Sequence, residues 1–206
     1  MATSSEDISI DQARIERIFT ALKERGVAPM LADNARVAVS TILSLIPKGS
    51  SVAHGHSTTL EEIGLVDHLK RADSGYRYLN AEWVKEGDVS ARARLRGRLS
   101  LEADYFLGSV AAICDTGEVI AADASGSRQA FYVFGPPHVI WVAGVNKLVP
   151  TLEEGIRRLR EVALPQEDKR MRESGGKGSF VGKMVIFERE RPGRITLILV
   201  KERLGY

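Results

Sequence analysis

Short apolar runs alternate along this chain with stretches whose apolar residues recur at helical spacing, the pattern of strands linked by helices. Ile15, Ile18, Phe19 and Leu22 share one face of a helix expected over residues 11–25, with Gly26 placed to stop it. Residues 27–31 then predict a short extended segment. Asp33 or Asn34 can cap a second helix carrying Val37, Ile42, Leu45 and Ile46, which Pro47 and Gly49 end. Residues 50–54 predict a strand, and the loop HGHSTT after it leads into a helix carrying Leu60, Ile63 and Leu69. Residues 76–80 predict another strand and residues 88–103 a basic helix with sparse apolar positions.

The runs 105–113 and 119–123, joined by Asp115-Thr116-Gly117-Glu118, predict a hairpin. A short helix through Phe134 and the turn GPPH precede the apolar run 139–145, whose lack of alternation predicts a strand covered on both faces. Thr151 and Glu154 form a capping-box pattern before a helix carrying Ile156, Leu159 and Val162, which Pro165 is expected to stop or kink. A glycine-rich loop over 174–180 leads to two last runs, 183–190 and 195–202, read as an antiparallel hairpin through RPGR. The expected fold is α/β: a mixed, mainly parallel sheet with helices on both faces, in a single domain over 1–206 with residues 1–10 flexible. Ligands of such sheets sit at the carboxyl ends of the strands.

Composition narrows the function. At 206 residues and 44% apolar the chain can bury one continuous core. A net charge of +2 with 27% charged residues is too balanced for a surface dedicated to nucleic acid, so small or polar-uncharged partners are expected from composition, and it is the strand-end loops that point to a small anionic metabolite. The arginines of residues 91–98 are offset by Glu82, Glu86, Asp88, Glu102 and Asp104 and lack interleaved aromatics, so they read as a solvated helix face. The single cysteine, Cys114, leaves no partner for an internal disulfide and reads as a buried structural thiol, while Trp141 and residues 131–134 read as core. Apolar runs are too short for a membrane helix, and the polar start MATSSEDISIDQ lacks a secretory pattern, so a cytoplasmic protein without membrane contact is expected.

Three loops follow predicted strands and carry the chemistry. In the first, His54, Gly55, His56, Ser57, Thr58 and Thr59 combine close backbone approach with hydroxyls that bind an anion or simply cap the next helix. His56 titrates near neutrality when unperturbed and is a candidate acid or base. His54 and His56 are two apart and point the same way on an extended segment, but a metal needs a third ligand from Glu61, Asp123 or His138. No zinc spacing is present, so neither metal nor cofactor is expected, with the histidine pair as the alternative.

The second loop, Asp123, Ser125, Gly126, Ser127 and Arg128, places a carboxylate base beside a guanidinium that clamps an anion, or braces itself by a salt bridge. The third, Asn146 and Lys147, ends the buried strand and sets an ammonium over the same edge, either in the site or in solvent.

Through HGHSTTLEEIGLVDHL (54–69), residues 104–128, FGPPHVIWVAGVNKLVP within 134–171, and PGRITLILVKERLGY (192–206), the sequence resembles the lactate-utilisation (LUD) domain family over nearly its whole length. The resemblance implies a fold similar to the ribose-phosphate isomerase, glucosamine-phosphate deaminase and coenzyme A transferase-like proteins. It also implies, as in some members, a part in bacterial lactate oxidation. By analogy with the phosphate loop of those isomerases, residues 55–58 are its counterpart. Longer relatives carry cysteines for an iron–sulfur cluster, which this chain lacks. Where a motif like NAIT is expected, it has AAIC at 111–114.

The expected function is binding of a small carboxylate or phosphate at the carboxyl edge of the sheet. Any reaction there is expected to be isomerase- or lyase-like proton transfer next to a carbonyl, with Asp123 or His56 as base and Lys147 or Arg128 stabilising the oxyanion. The alternative is a non-catalytic subunit docked on protein partners in lactate oxidation. A homodimer is the default for such sheets.

Overall fold

The computed structural model describes residues 11–206, the side chain of Ser100 excepted, so the expectation for residues 1–10 lies outside it. Six strands lie parallel in the order β1 (Val27–Ala32), β10 (Ile195–Val200), β7 (His138–Gly144), β4 (Tyr105–Gly108), β2 (Ser51–His54) and β3 (Arg77–Tyr78). Successive residues of a strand point to opposite faces, and both faces here are apolar. Val139, Trp141 and Ala143 of β7 join one core with Leu197 and Leu199 of β10, while Ile140, Val142 and Ile198 join the other. The first face is covered by α1 (Gln12–Glu24), α5 (Asn80–Val84), α6 (Val89–Glu102) and α7 (Ser127–Val133), through Ile18, Trp83, Leu99 and Phe131. The second is covered by α2 (Ala35–Leu45), α3 (Thr58–Glu62) and α4 (Leu65–Lys70), through Ile42, Leu60 and Leu69. Each such aliphatic side chain contributes roughly 1.5–3 kcal/mol when fully buried.

A second sheet has the order β8 (Leu148–Val149), β5 (Ala112–Cys114), β6 (Val119–Asp123) and β9 (Lys183–Phe187). Here β5 runs parallel to β8, and β6 runs antiparallel to both β5 and β9. Val119 and Phe187 face the main core, while Ile120 and Val149 pack against Leu159 and Ala163.

The two last runs form no hairpin, contrary to the reading of residues 183–202. β9 pairs with β6 in the second sheet, whereas β10 lies between β1 and β7 in the first. The unbroken apolar run ITLILV needs cover on both faces and a partner on both edges, which the centre of the parallel sheet supplies. The run 105–113 likewise divides, because residues 109–111 carry the chain from β4 in one sheet to β5 in the other; the hairpin of β5 with β6 is present. The strand expected over 76–80 is only two residues long, and Asn80 already opens a helix.

Pro165 does not end its helix. α8 (Leu152–Arg158) widens into a π-helical stretch, Leu159–Ala163, directly before Pro165 and continues as α9 (Leu164–Glu173), so the chain stays helical through the proline with the irregularity placed just ahead of it. Phe131 is core, but Phe134 is 80% exposed, and Val37 and Val162 also face solvent. Cys114 is fully buried, and burial pushes its thiol up to about 12. No helix among the described residues is long and apolar enough to cross a membrane.

Candidate functional site

Two connections pass from the parallel sheet to the second sheet: residues 109–111 link β4 to β5, and the short 3₁₀ turn Val145–Lys147 links β7 to β8. Because β4 neighbours β7 and β5 neighbours β8, the connections run side by side. Arg158 of α8 holds them there, donating from Nε to the Asn146 carbonyl (3.0 Å) and from Nη1 to the Ala111 carbonyl. A cavity of about 410 Å³ opens beside this crossing. It is lined by members of all three predicted loops: His56, Ser57, Thr58 and Thr59; Asp123, Ser125, Ser127 and Arg128; and Lys147.

Lys147 is not solvated but buried, with 2% of its surface exposed. Its Nζ donates to Ser109 Oγ at 2.8 Å and to Thr59 Oγ1 at 3.0 Å, and no carboxylate pairs with it among the described residues. Burial, followed by the positive charge of Arg158, brings its pKa from 10.5 to about 7. The lysine therefore exists near neutrality as amine and ammonium together.

The Asp123 loop is closed on itself. Asp123 accepts backbone N–H bonds from Ser125 (3.0 Å), Gly126 (3.1 Å) and Arg128 (2.9 Å), and the Nε–H of Arg128 at 3.3 Å. Burial alone would raise this carboxyl, but those bonds and the Arg128 charge outweigh it and hold it below its ordinary value. Gly126 makes the turn possible at φ +87°, a backbone that side chains disfavour. The rest of the Arg128 guanidinium donates to the carbonyls of Ala122 (2.6 Å) and His56 (3.3 Å). Gly55 lets this happen: a Cβ there would stand 2.4 Å from Cγ and Cδ of Arg128.

The two histidines part company. His54 is buried, its Nδ1–H donates to the Gly55 carbonyl (2.8 Å), and Nε2 is left to accept from the Tyr78 hydroxyl (2.6 Å). His56 lines the cavity with Nε2 3.5 Å from Glu61 Oε1, and burial, then Arg170, lowers its pKa. No cluster of three or more metal-ligating side chains occurs among the described residues. Gly55, Gly126 and Asn146 do not line the cavity. Asn146 instead ties down residues 204 and 205, accepting from Leu204 N (3.0 Å) and donating to Gly205 O (3.1 Å). Ser57 caps α3 by accepting from Leu60 N at 3.3 Å.

Other lining residues lay outside the three loops. Ser109 sits inside an apolar run. Arg96 belongs to the helix read as solvated, yet it is half-buried, donates to Ser127 Oγ at 2.9 Å and leaves a buried Nε without a partner. Glu167 and Arg170 of α9 pair at 2.7 Å beside Tyr206, which donates to Glu167. Gly178, Ser179 and Phe180 of the glycine-rich loop also line the cavity. No sequence signal marked Arg96: its guanidinium lies 5.6 Å from the ring of Trp83, which belongs to the preceding helix, a contact that packing alone creates.

The molecule is thus a layered α/β protein with a polar cavity where parallel strands cross into a second sheet. A family model for the LUD domain matches residues 15–205, and the chain belongs to that family. The fold is similar to the crystal structure of a DUF162 family protein from Deinococcus radiodurans, with a TM-score of 0.51 and 15% identity over 93% of this chain and 99% of that one. A lesser likeness is to eIF2B beta from Chaetomium thermophilum, with a TM-score of 0.35 and 13% identity over 56% of this chain and 43% of that one. No curated protein matches the chain.

Proposed function

We propose that this LUD-domain protein binds a small metabolite bearing a carboxylate or phosphate in the cavity beside Lys147, in a role related to bacterial lactate utilisation. The observation that carries the reading is a lysine 2% exposed whose ammonium meets two neutral hydroxyls and no carboxylate. A buried charge without a counter-ion is costly, and an anion entering the cavity supplies one. The lining strengthens the case, since Lys147, Arg96, Arg128 and Arg170 face only Asp123 and Glu167.

The arrangement also supports proton transfer next to a carbonyl over mere docking. His56 is the better base of the two considered, because it is held largely neutral and lines the cavity, whereas the Asp123 carboxylate is filled by the bonds of its own loop. Lys147 and the hydroxyls around it then stabilise the developing oxyanion. Thermal unfolding with lactate, pyruvate, sugar phosphates or coenzyme A tests the reading, since a ligand of the folded state raises the melting temperature. A rise with one anion class that Lys147→Met abolishes is expected. No rise with any of them overturns it and favours the docked subunit.

A further inference from the structure

We infer that Lys147 acts as an amine nucleophile, adding to the carbonyl carbon of a small anionic aldehyde or ketone and holding it as an imine. The inference rests on the anion-binding reading and deepens it by naming the ligand's reactive group. Among the described residues Lys147 is the buried lysine, and it is fixed by a short turn at the end of a central strand rather than by a mobile loop. An ammonium locked in an ion pair keeps its proton and has no lone pair to offer. Here the contacts are the hydroxyls of Ser109 and Thr59, at 2.8 and 3.0 Å, which accept from nitrogen and also donate. Desolvation makes the neutral amine available near neutral pH.

The Lys147 ammonium draws the anion into the cavity; once it has given up its proton and turned to the carbonyl, a second cation must hold the anionic group. Arg96 answers this need: it lines the cavity, its Nη2 donates to Ser127 Oγ at the wall (2.9 Å), and its buried Nε has no carboxylate or other acceptor among the described residues, so its charge is left for the ligand. The carbonyl end then lies toward Lys147 and the anionic end toward Arg96.

The step balances without an oxidant or reductant. The nitrogen lone pair forms the C–N bond while the carbonyl π pair moves to oxygen. A proton passes from nitrogen to that oxygen through the Ser109 or Thr59 hydroxyl. The C–O bond then breaks, and with a second proton the oxygen leaves as water, so one amine and one carbonyl give one imine and one water. Once protonated, the imine draws electrons from the neighbouring carbon, where His56 is the available proton acceptor.

Borohydride trapping of the whole protein near neutral pH tests this. Pyruvate supplies a carboxylate in one arm and dihydroxyacetone phosphate a phosphate in the other. The expected result is one adduct, on the peptide containing Lys147, heavier by the carbonyl compound's mass less one oxygen, and formed in the arm with the preferred anion. Adducts spread over surface lysines, or none in either arm, overturn the inference. Thermal shift with the same compounds and no reductant separates the two readings. A shift without a Lys147 adduct sinks the imine and leaves the anion site standing, whereas neither shift nor adduct sinks both. Lys147→Arg, checked for folding by circular dichroism, is expected to lose the adduct, and an adduct that survives the exchange also overturns the assignment.

Discussion

Two polar clusters face the same cavity and differ in how far they are complete. The Asp123 loop is finished by folding: its carboxylate takes three backbone N–H bonds and one from Arg128, and Arg128 spends its other donors on two carbonyls. The Lys147 cluster stops short, with two neutral hydroxyls and no ion-paired carboxylate among the described residues, Glu62 acting on it only through its charge. A satisfied buried network specifies structure, whereas a half-satisfied one is costly to keep. The difference assigns the first cluster to the scaffold and is the ground on which the second is proposed as the ligand's.

Removing each cluster's charge should therefore have opposite results. Asp123→Ala leaves the Arg128 charge and several donors unpaired at a side chain only 10% exposed, and should lower unfolding free energy by about 3 kcal/mol. A denaturation midpoint that stays in place would break the comparison. Lys147→Met keeps the length of the side chain and removes the uncompensated charge, so stability near pH 7 should hold or rise. Affinity for the bound anion should fall about 100-fold, the loss of a charge-assisted contact of about 2.7 kcal/mol, measured by calorimetry.

The same lysine imposes a pH signature. Its folded value of about 7 lies below the ordinary 10.5, so between them the unfolded chain binds a proton that the folded chain does not. Stability then rises with pH across that window, and the cost of the buried charge is present in full below about 7. The difference between wild type and Lys147→Met should climb with pH by up to about 1.4 kcal/mol per unit. A flat difference from pH 7 to 10 would show that the folded chain keeps the proton and that the charge of the ammonium is already compensated.

How these clusters formed was only partly legible in the sequence. The parallel strands show in unbroken apolar runs such as residues 139–145 and 195–200, because burial on both faces leaves that mark. Which sheet each run joins does not show. Periodicity records faces and not partners, so the crossing at residues 109–111 read as continuous strand and β9 with β10 read as a hairpin. The three loops were legible because each follows a strand, and the cavity gathers them. The state of Lys147 was not, since its partners Thr59 and Ser109 lie 88 and 38 residues away. Arg96 was hidden for another reason: four arginines within residues 91–98 look alike in sequence, and only the packing of α6 distinguishes the one turned inward.

The smallest expected effect repeats the comparison within one loop, between two histidines two residues apart. His54 is closed off, giving Nδ1–H to Gly55 and taking the Tyr78 hydroxyl at Nε2, while His56 stands on the cavity. Burial lowers the pKa of His54, so the neutral ring with one donor and one acceptor matches both partners. Tyr78→Phe removes the 2.6 Å bond and leaves a buried ring nitrogen unpaired, which should cost about 1 kcal/mol in the denaturation midpoint. Affinity for the anion should not change, because nothing on the cavity wall has moved. Should affinity fall along with stability, His54 would be holding His56 in place through the Gly55 carbonyl, and the boundary between scaffold and site would run one residue earlier in the chain.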